Sequence, residues 1–124
     1  MSYCFNVEKT TADLIKWVKD YFDTTASPNT KAVIGISGGK DSSVAAAVCV
    51  KALGKDRVVG ILMPKGEQHD IDCSHLLVET LGIEHYVINI GTTVDAFTKE
   101  FEKHMPMNSQ AVINTPPRIR MTTL

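Results

Sequence analysis

The sequence predicts an α/β protein, a doubly wound parallel sheet with helices on both faces. Three observations carry that reading. The short continuous apolar run at Ala32–Ile36 suits a strand buried on both sides, and the runs at 57–63 and 85–90 read as further strands. Each run is followed by a segment with helical spacing of its apolar residues, which is the alternation of right-handed βαβ units. The first run ends in Ser37-Gly38-Gly39, a turn leading straight into a helix, the usual junction where such sheets bind ligands.

The elements follow in order. Val7, Thr11, Leu14, Ile15, Val18 and Phe22 recur at helical spacing, and Asn6 is placed to cap their helix. Ser27-Pro28-Asn29 closes it with turn-forming residues. Trp17, Tyr21 and Phe22 read as packing for this helix. After the first strand an alanine-rich helix runs from about Ser42 and stops at Gly54. The second strand, 57–63, leads through the loop Pro64-Lys65-Gly66 into a helix over 70–81 that Gly82 stops. A third strand over 85–90 and a helix over 92–104 complete the alternation. Near the C-terminus Asn114 is a capping residue, and Pro116 and Pro117 fit a first helical turn, so a helix is predicted to open there. The sequence stops at Leu124 soon after, which predicts that the chain is a fragment of a longer domain. The expected division is an N-terminal helix over 1–29 and nucleotide-binding βα units over 31–124.

Bulk properties set the outer limits. A chain of 124 residues is one domain, and at this size it buries roughly two-thirds of its unfolded surface. The hydrophobic share of 44% and charged share of 22% fit a globular protein and exclude a disordered one. A net charge of -1 with no basic block argues against nucleic acid as a partner. Cys4, Cys49 and Cys73 form no CxxC pair, so they read as reduced thiols in a cytoplasmic protein. No signal peptide and no membrane-spanning run is apparent, which predicts a soluble protein without a membrane partner.

The segment Gly35-Ile36-Ser37-Gly38-Gly39-Lys40-Asp41-Ser42-Ser43 is the most informative. It joins a buried strand to a helix N-terminus, where unpaired amides and the helix dipole favour an anion. Gly38 and Gly39 let the backbone turn tightly and a phosphate approach. Ser37, Ser42 and Ser43 add hydroxyls, and Lys40 adds a cation. Asp41 would repel a bare phosphate. A bridging Mg²⁺ resolves that conflict, because carboxylate plus phosphate oxygens is the usual magnesium environment. Asp41 is therefore the candidate metal ligand. A Walker A loop does not fit, since Ile34 stands where its first glycine belongs and Asp41 follows Lys40. Nor does a dinucleotide fingerprint, since Ser37 and Lys40 occupy its later glycine positions. The bland alternative is a tight turn in which Asp41 serves only the helix dipole.

This loop resembles the pyrophosphate loop, Ser-Gly-Gly-x-Asp-Ser, of the N-type ATP pyrophosphatases. The resemblance implies an adenine nucleotide alpha hydrolase-like fold, with ATP as substrate and Mg²⁺ as its metal. It also implies adenylation of a substrate oxygen, release of pyrophosphate and displacement of AMP. Two further segments are similar to ammonia-dependent NAD synthetases within that superfamily. The first runs from Leu62-Met63-Pro64 to Gln68-His69-Asp70 and looks like the loop that family lays along adenine, which implies nucleotide contacts from Met63 and Gln68. The second, Asn114-Thr115-Pro116-Pro117-Arg118-Ile119-Arg120-Met121, is similar to the family's Asn-x-x-x-Arg-x-Arg-Met signature. It implies that Arg118 contacts deamido-NAD, a task that suits the planar fork of a guanidinium. The resemblance implies ammonia as the amide donor, no protein nucleophile and a homodimer built partly on the N-terminal helix. In that family the polypeptide continues for about as many residues again, with further ATP, metal and ammonia contacts.

Other readings are weaker. His69, Asp70, Asp72, Cys73 and His75 suggest a metal site only superficially, because no fourth ligand is evident and acids often open a helix. A tRNA-modifying relative would call for reactive cysteines or a basic surface. A nucleotide-binding module without turnover is the remaining rival.

Overall fold

The computed structural model describes residues 5–67 and 71–124. Helix α1 spans Val7–Thr25, and the Asn6 side chain caps it by accepting from the Lys9 amide at 2.9 Å. Strand β1 is Ala32–Ile36 and helix α2 is Lys40–Leu53. A short 3₁₀ turn, Lys55–Arg57, leads into β2, Val58–Leu62. Then come α3 (Ile71–Leu81), β3 (Glu84–Val87), α4 (Gly91–Glu102) and α5 (Ser109–Thr123). Gly54 and Gly82 end α2 and α3 with φ of +83° and +62°, angles that L side chains rarely adopt.

The three strands are parallel in the order β1-β2-β3, with Ala32 opposite Val58 and Val59 opposite Glu84. All five residues of the central β2 are buried, as its unbroken apolar sequence requires. One face packs Ile36, Val58 and Leu62 against Ala46 of α2 and Val78 of α3, with Phe22 of α1 behind them. The other face packs Val59, Ile61 and Met63 against Ile90, Val94 of α4 and Ile119 of α5. Helices thus cover both faces, which is the doubly wound arrangement. Each fully buried side chain of this size contributes about 1.5–3 kcal/mol. Gly60 matters to the first face, because a Cβ there would lie 3.1 Å from Val78 Cγ1 and 3.3 Å from Ile36 Cγ1.

Polar contacts tie the N-terminal edge of the sheet. Lys31 Nζ donates to Glu84 Oε2 at 2.5 Å, reaching across from the start of β1 to the start of β3. Arg57 donates to the Thr30 carbonyl at 3.2 Å and lies 5.5 Å over the Phe22 ring. The Lys31 hydrogen bond, with one from Tyr86, holds the Glu84 carboxyl below its ordinary range.

Three sequence expectations change. The third strand starts at Glu84 and ends at Val87, earlier than the 85–90 run suggests. Its ladder nevertheless continues singly, as Ile88 N–H donates to Leu62 at 2.8 Å and Ile90 N–H to Pro64 at 2.9 Å. The last helix does not open at Asn114. Asn108 is its cap, accepting from the Ala111 amide at 2.8 Å, and Pro116 and Pro117 lie inside the helix. Packing of Thr115 and Ile119 onto the sheet side carries the helix through residues that favour a first turn. Finally, of the α1 aromatics only Phe22 packs on the core. Trp17 and Tyr21 are 64% and 52% exposed and stack on each other at 5.7 Å. Among the described residues no helix is long and apolar enough to cross a membrane.

Candidate functional site

The Gly-rich turn sits at the C-terminal end of β1 and opens α2. Gly38 has φ +79°, so the chain reverses there in a conformation that favours glycine. Gly39 is the N-cap in an extended conformation and supplies no side-chain acceptor to the first amides of α2. The serines fold the turn on itself. Ser37 Oγ lies 3.1 Å from Ser42 Oγ and accepts from the Gly39 amide at 3.3 Å. The Ser42 and Ser43 hydroxyls donate to the Gly39 carbonyl at 3.1 and 2.8 Å. Lys40 and Asp41 stand exposed on the first turn of the helix. Hydroxyls, amides, one cation and one carboxylate therefore share a single short turn at a positive helix end.

A cavity of about 400 Å³ adjoins this turn at the C-terminal ends of β1 and β2. Gly35, Ile36 and Ser37 form one wall, Met63 and Pro64 another, and Arg120 of α5 a third. The seat is mostly apolar with a few polar groups, which is the ordinary composition of a small-ligand site. Gly35, Ile36, Ser37 and Met63 line this cavity together, and Gly38 to Ser42 continue from its edge into α2. Gln68, with His69 and Asp70, lies outside the described residues, as does Cys4. Arg118 is exposed and lines a separate groove of about 320 Å³ between α4 and α5, with Phe97, Thr115 and Thr122.

Two residues at this site have no role in the sequence reading. Arg120 Nε donates to the Met63 carbonyl at 3.1 Å, fixing α5 to the end of β2. The signal for it was present, since Arg120 belongs to the same Arg-x-Arg pair as Arg118. Asn89 ties the loop after β2 to the start of α4 through three hydrogen bonds. No spacing rule marks an asparagine that acts across 23 residues.

Among the described residues no group of three His, Cys, Asp or Glu could hold a metal ion. A lone carboxylate at a phosphate turn still suits Mg²⁺, which commonly takes one or two carboxylates and completes its shell with substrate phosphates and water. Cys49 is half-buried on α2, and burial pushes its thiol up, while Cys73 is exposed.

A Gly-rich turn between a buried parallel strand and a helix, with a cavity beside it, is an arrangement that α/β proteins of the nucleotide-binding class use for phosphate-bearing ligands. Comparison with known proteins narrows that class. Residues 10–124 match the NAD synthase family model, and the chain belongs to that family. It is 34% identical to the NH(3)-dependent NAD(+) synthetase of Pyrococcus furiosus over 96% of this chain and 43% of that protein. It is 38% identical to the NH(3)-dependent NAD(+) synthetase of Finegoldia magna over 96% of this chain and 48% of that one. Among solved structures it superposes on an NH3-dependent NAD synthetase from Campylobacter jejuni with a TM-score of 0.85 at 28% identity, covering 98% of this chain and 51% of that one. An NMN synthetase from Francisella tularensis superposes with a TM-score of 0.84 at 30% identity, covering 98% and 49%. The chain thus spans about half the length of the proteins it matches.

Proposed function

We propose that this chain forms the ATP-binding part of an ammonia-dependent NAD synthetase, a ligase that amidates deamido-NAD. The observation that carries this is the Ser37–Ser42 turn opening α2 beside the cavity, within a family match over 10–124. The turn's amides and hydroxyls receive the pyrophosphate of ATP, and Lys40 offsets its charge. Adenosine occupies the adjoining cavity against Met63, with Gln68 approaching it in the same loop. Asp41 holds Mg²⁺, whose chemistry is to neutralise phosphate charge as pyrophosphate leaves. Arg118 orients deamido-NAD by its carboxylate or phosphate.

The nicotinate carboxylate then attacks the α-phosphorus. The bond to pyrophosphate breaks and an acyl-adenylate forms. Ammonia attacks the acyl carbon, loses a proton, and AMP departs with the bonding pair, leaving NAD. The residues position reactants and stabilise charge, and no protein nucleophile is needed. Val7, Leu14, Trp17 and Tyr21 form an exposed stripe on α1 suited to a second copy of the chain, which makes a homodimer the proposed assembly. The proposed location is the cytoplasm, where ATP and the dinucleotide meet.

The test is incubation of the chain with Mg-ATP, deamido-NAD and ammonium, with NAD and AMP followed by mass spectrometry. NAD rising in step with AMP supports the reading. ATP binding without either product would fit the ATP-binding part alone or a nucleotide-binding module without turnover, since the chain matches only 43% and 48% of those two relatives. A second substrate is favoured by the near-equal likeness to the NMN synthetase. Offering nicotinate mononucleotide in parallel separates the two, because the preferred acid yields the faster release of AMP.

A further inference from the structure

We propose that Asn89 is a positioning residue of the nucleotide site. Its carboxamide holds Gly66, in the segment after β2 whose first residues, Met63 and Pro64, form one rim of the cavity. The inference rests on the nucleotide-site reading above and adds a residue to it.

Asn89 Oδ1 accepts from the Gly66 amide at 3.2 Å and from the Gly91 amide at 2.9 Å, while Nδ2 donates to the Gly66 carbonyl at 3.4 Å. One side chain thus satisfies both backbone groups of Gly66 and the first amide of α4. Next to it, the Ile90 amide donates to the Pro64 carbonyl at 2.9 Å. Pro64 lines the cavity, and Gly66 lies two residues further along the same loop. Gly66 has φ +70°, a conformation open to glycine, whose many accessible angles leave the loop free to vary unless its backbone groups are held. Gly91 adds a sign of close fit. A Cβ on it would come 3.0 Å from Asn89 Oδ1 and 3.1 Å from Gly66 N, so a larger residue would push the clasp and the loop backbone apart by a few tenths of an ångström. The Gly-rich turn follows the neighbouring strand β1 and makes none of these contacts. Asn89 should therefore govern the part of the site that holds the nucleoside and leave the part that holds phosphate untouched.

The experiment uses the whole chain, isotopically labelled, with amide exchange and ligand titration on the same samples. Asn89→Ala is expected to speed exchange of the Gly66 amide about tenfold, the scale of losing its hydrogen bonds, and to leave the Val94 amide within α4 unchanged. ATP affinity should fall about tenfold while inorganic pyrophosphate binds within about twofold of the original. Asn89→Asp keeps both acceptor contacts and should restore ATP affinity to within about threefold. Gly91→Ala, which pushes the loop outward, should reproduce the ATP loss by a different route. Unchanged Gly66 exchange in Asn89→Ala overturns the clasp whatever the ligand data show. Equal losses for ATP and pyrophosphate reduce Asn89 to a structural residue. An unaltered chain that binds ATP no better than pyrophosphate overturns the nucleoside reading and the positioning role with it, and the exchange result, which needs no ligand, distinguishes that failure from failure of the clasp.

Discussion

Asp41 is an exposed acid in the first turn of α2, where it suits the helix dipole but would repel a phosphate bound there without a metal. If it holds Mg²⁺ with the nucleotide, Asp41→Ala should weaken ATP binding mainly when magnesium is present. Calorimetry with and without the ion checks this, and identical magnesium dependence in both proteins would remove Asp41 from the site. The cysteines make a second residue-scale case. The raised thiol of half-buried Cys49 is poor in thiolate, the reactive form, whereas Cys73 is exposed. A thiol reagent at neutral pH should therefore label Cys73 well before Cys49, as peptide mapping would show.

At the scale of elements, the last helix is the sharpest departure from local rules. Asn108 and Asn114 both have capping chemistry, and tandem proline after Asn114 is a common opening of a helix. The helix instead begins six residues earlier and carries Pro116 and Pro117 in its interior, where each lacks the N–H that an i→i−4 bond requires. Asn108→Ala should cost about 1 kcal/mol of stability, and Asn114→Ala nothing or a slight gain, since asparagine is a poor interior residue. Urea unfolding distinguishes them, and the reverse order would place the helix start at Asn114. The Lys31–Glu84 pair belongs to the same scale, because it links two strands that are not neighbours. A glutamate whose folded pKa lies below its ordinary 4.5 contributes stability above that value and loses it as pH falls through the lowered one. Glu84→Gln should flatten the pH dependence of stability in that window. The effect is small, because both side chains are 44% exposed and solvent screens the pair.

At the scale of the molecule, several apolar features are uncovered among the described residues, and two kinds favour association. One is the α1 stripe, in which Trp17 is 64% and Val7 64% exposed. The other is the sheet edge, since β1 and β3 each pair with a strand on one side only and leave Val33 and Tyr86 about half exposed. Isolated apolar side chains are ordinary, but a stripe and an open strand edge favour association. The chain should self-associate with rising concentration in sedimentation velocity, and Trp17→Lys should shift it towards monomer if α1 makes the contact. Association unmoved by that change would point to a sheet edge, β1 or β3.

The alternation of strands and helices and the phosphate turn were legible because they depend on local chemistry. A doubly buried strand must be continuously apolar, and a turn that meets an anion at a helix end must be built of Gly and small hydroxyl residues. The sequence by itself therefore determined the fold class and the Gly-rich turn that joins β1 to α2. Only the tertiary structure decided which aromatics of α1 face the core, that α5 runs through two prolines, that Arg120 borders the cavity while Arg118 lines another groove, and that Asn89 holds a loop 23 residues away. These outcomes turn on contacts between elements distant in the chain. Packing free energy there exceeds the local preferences that a sequence window can express.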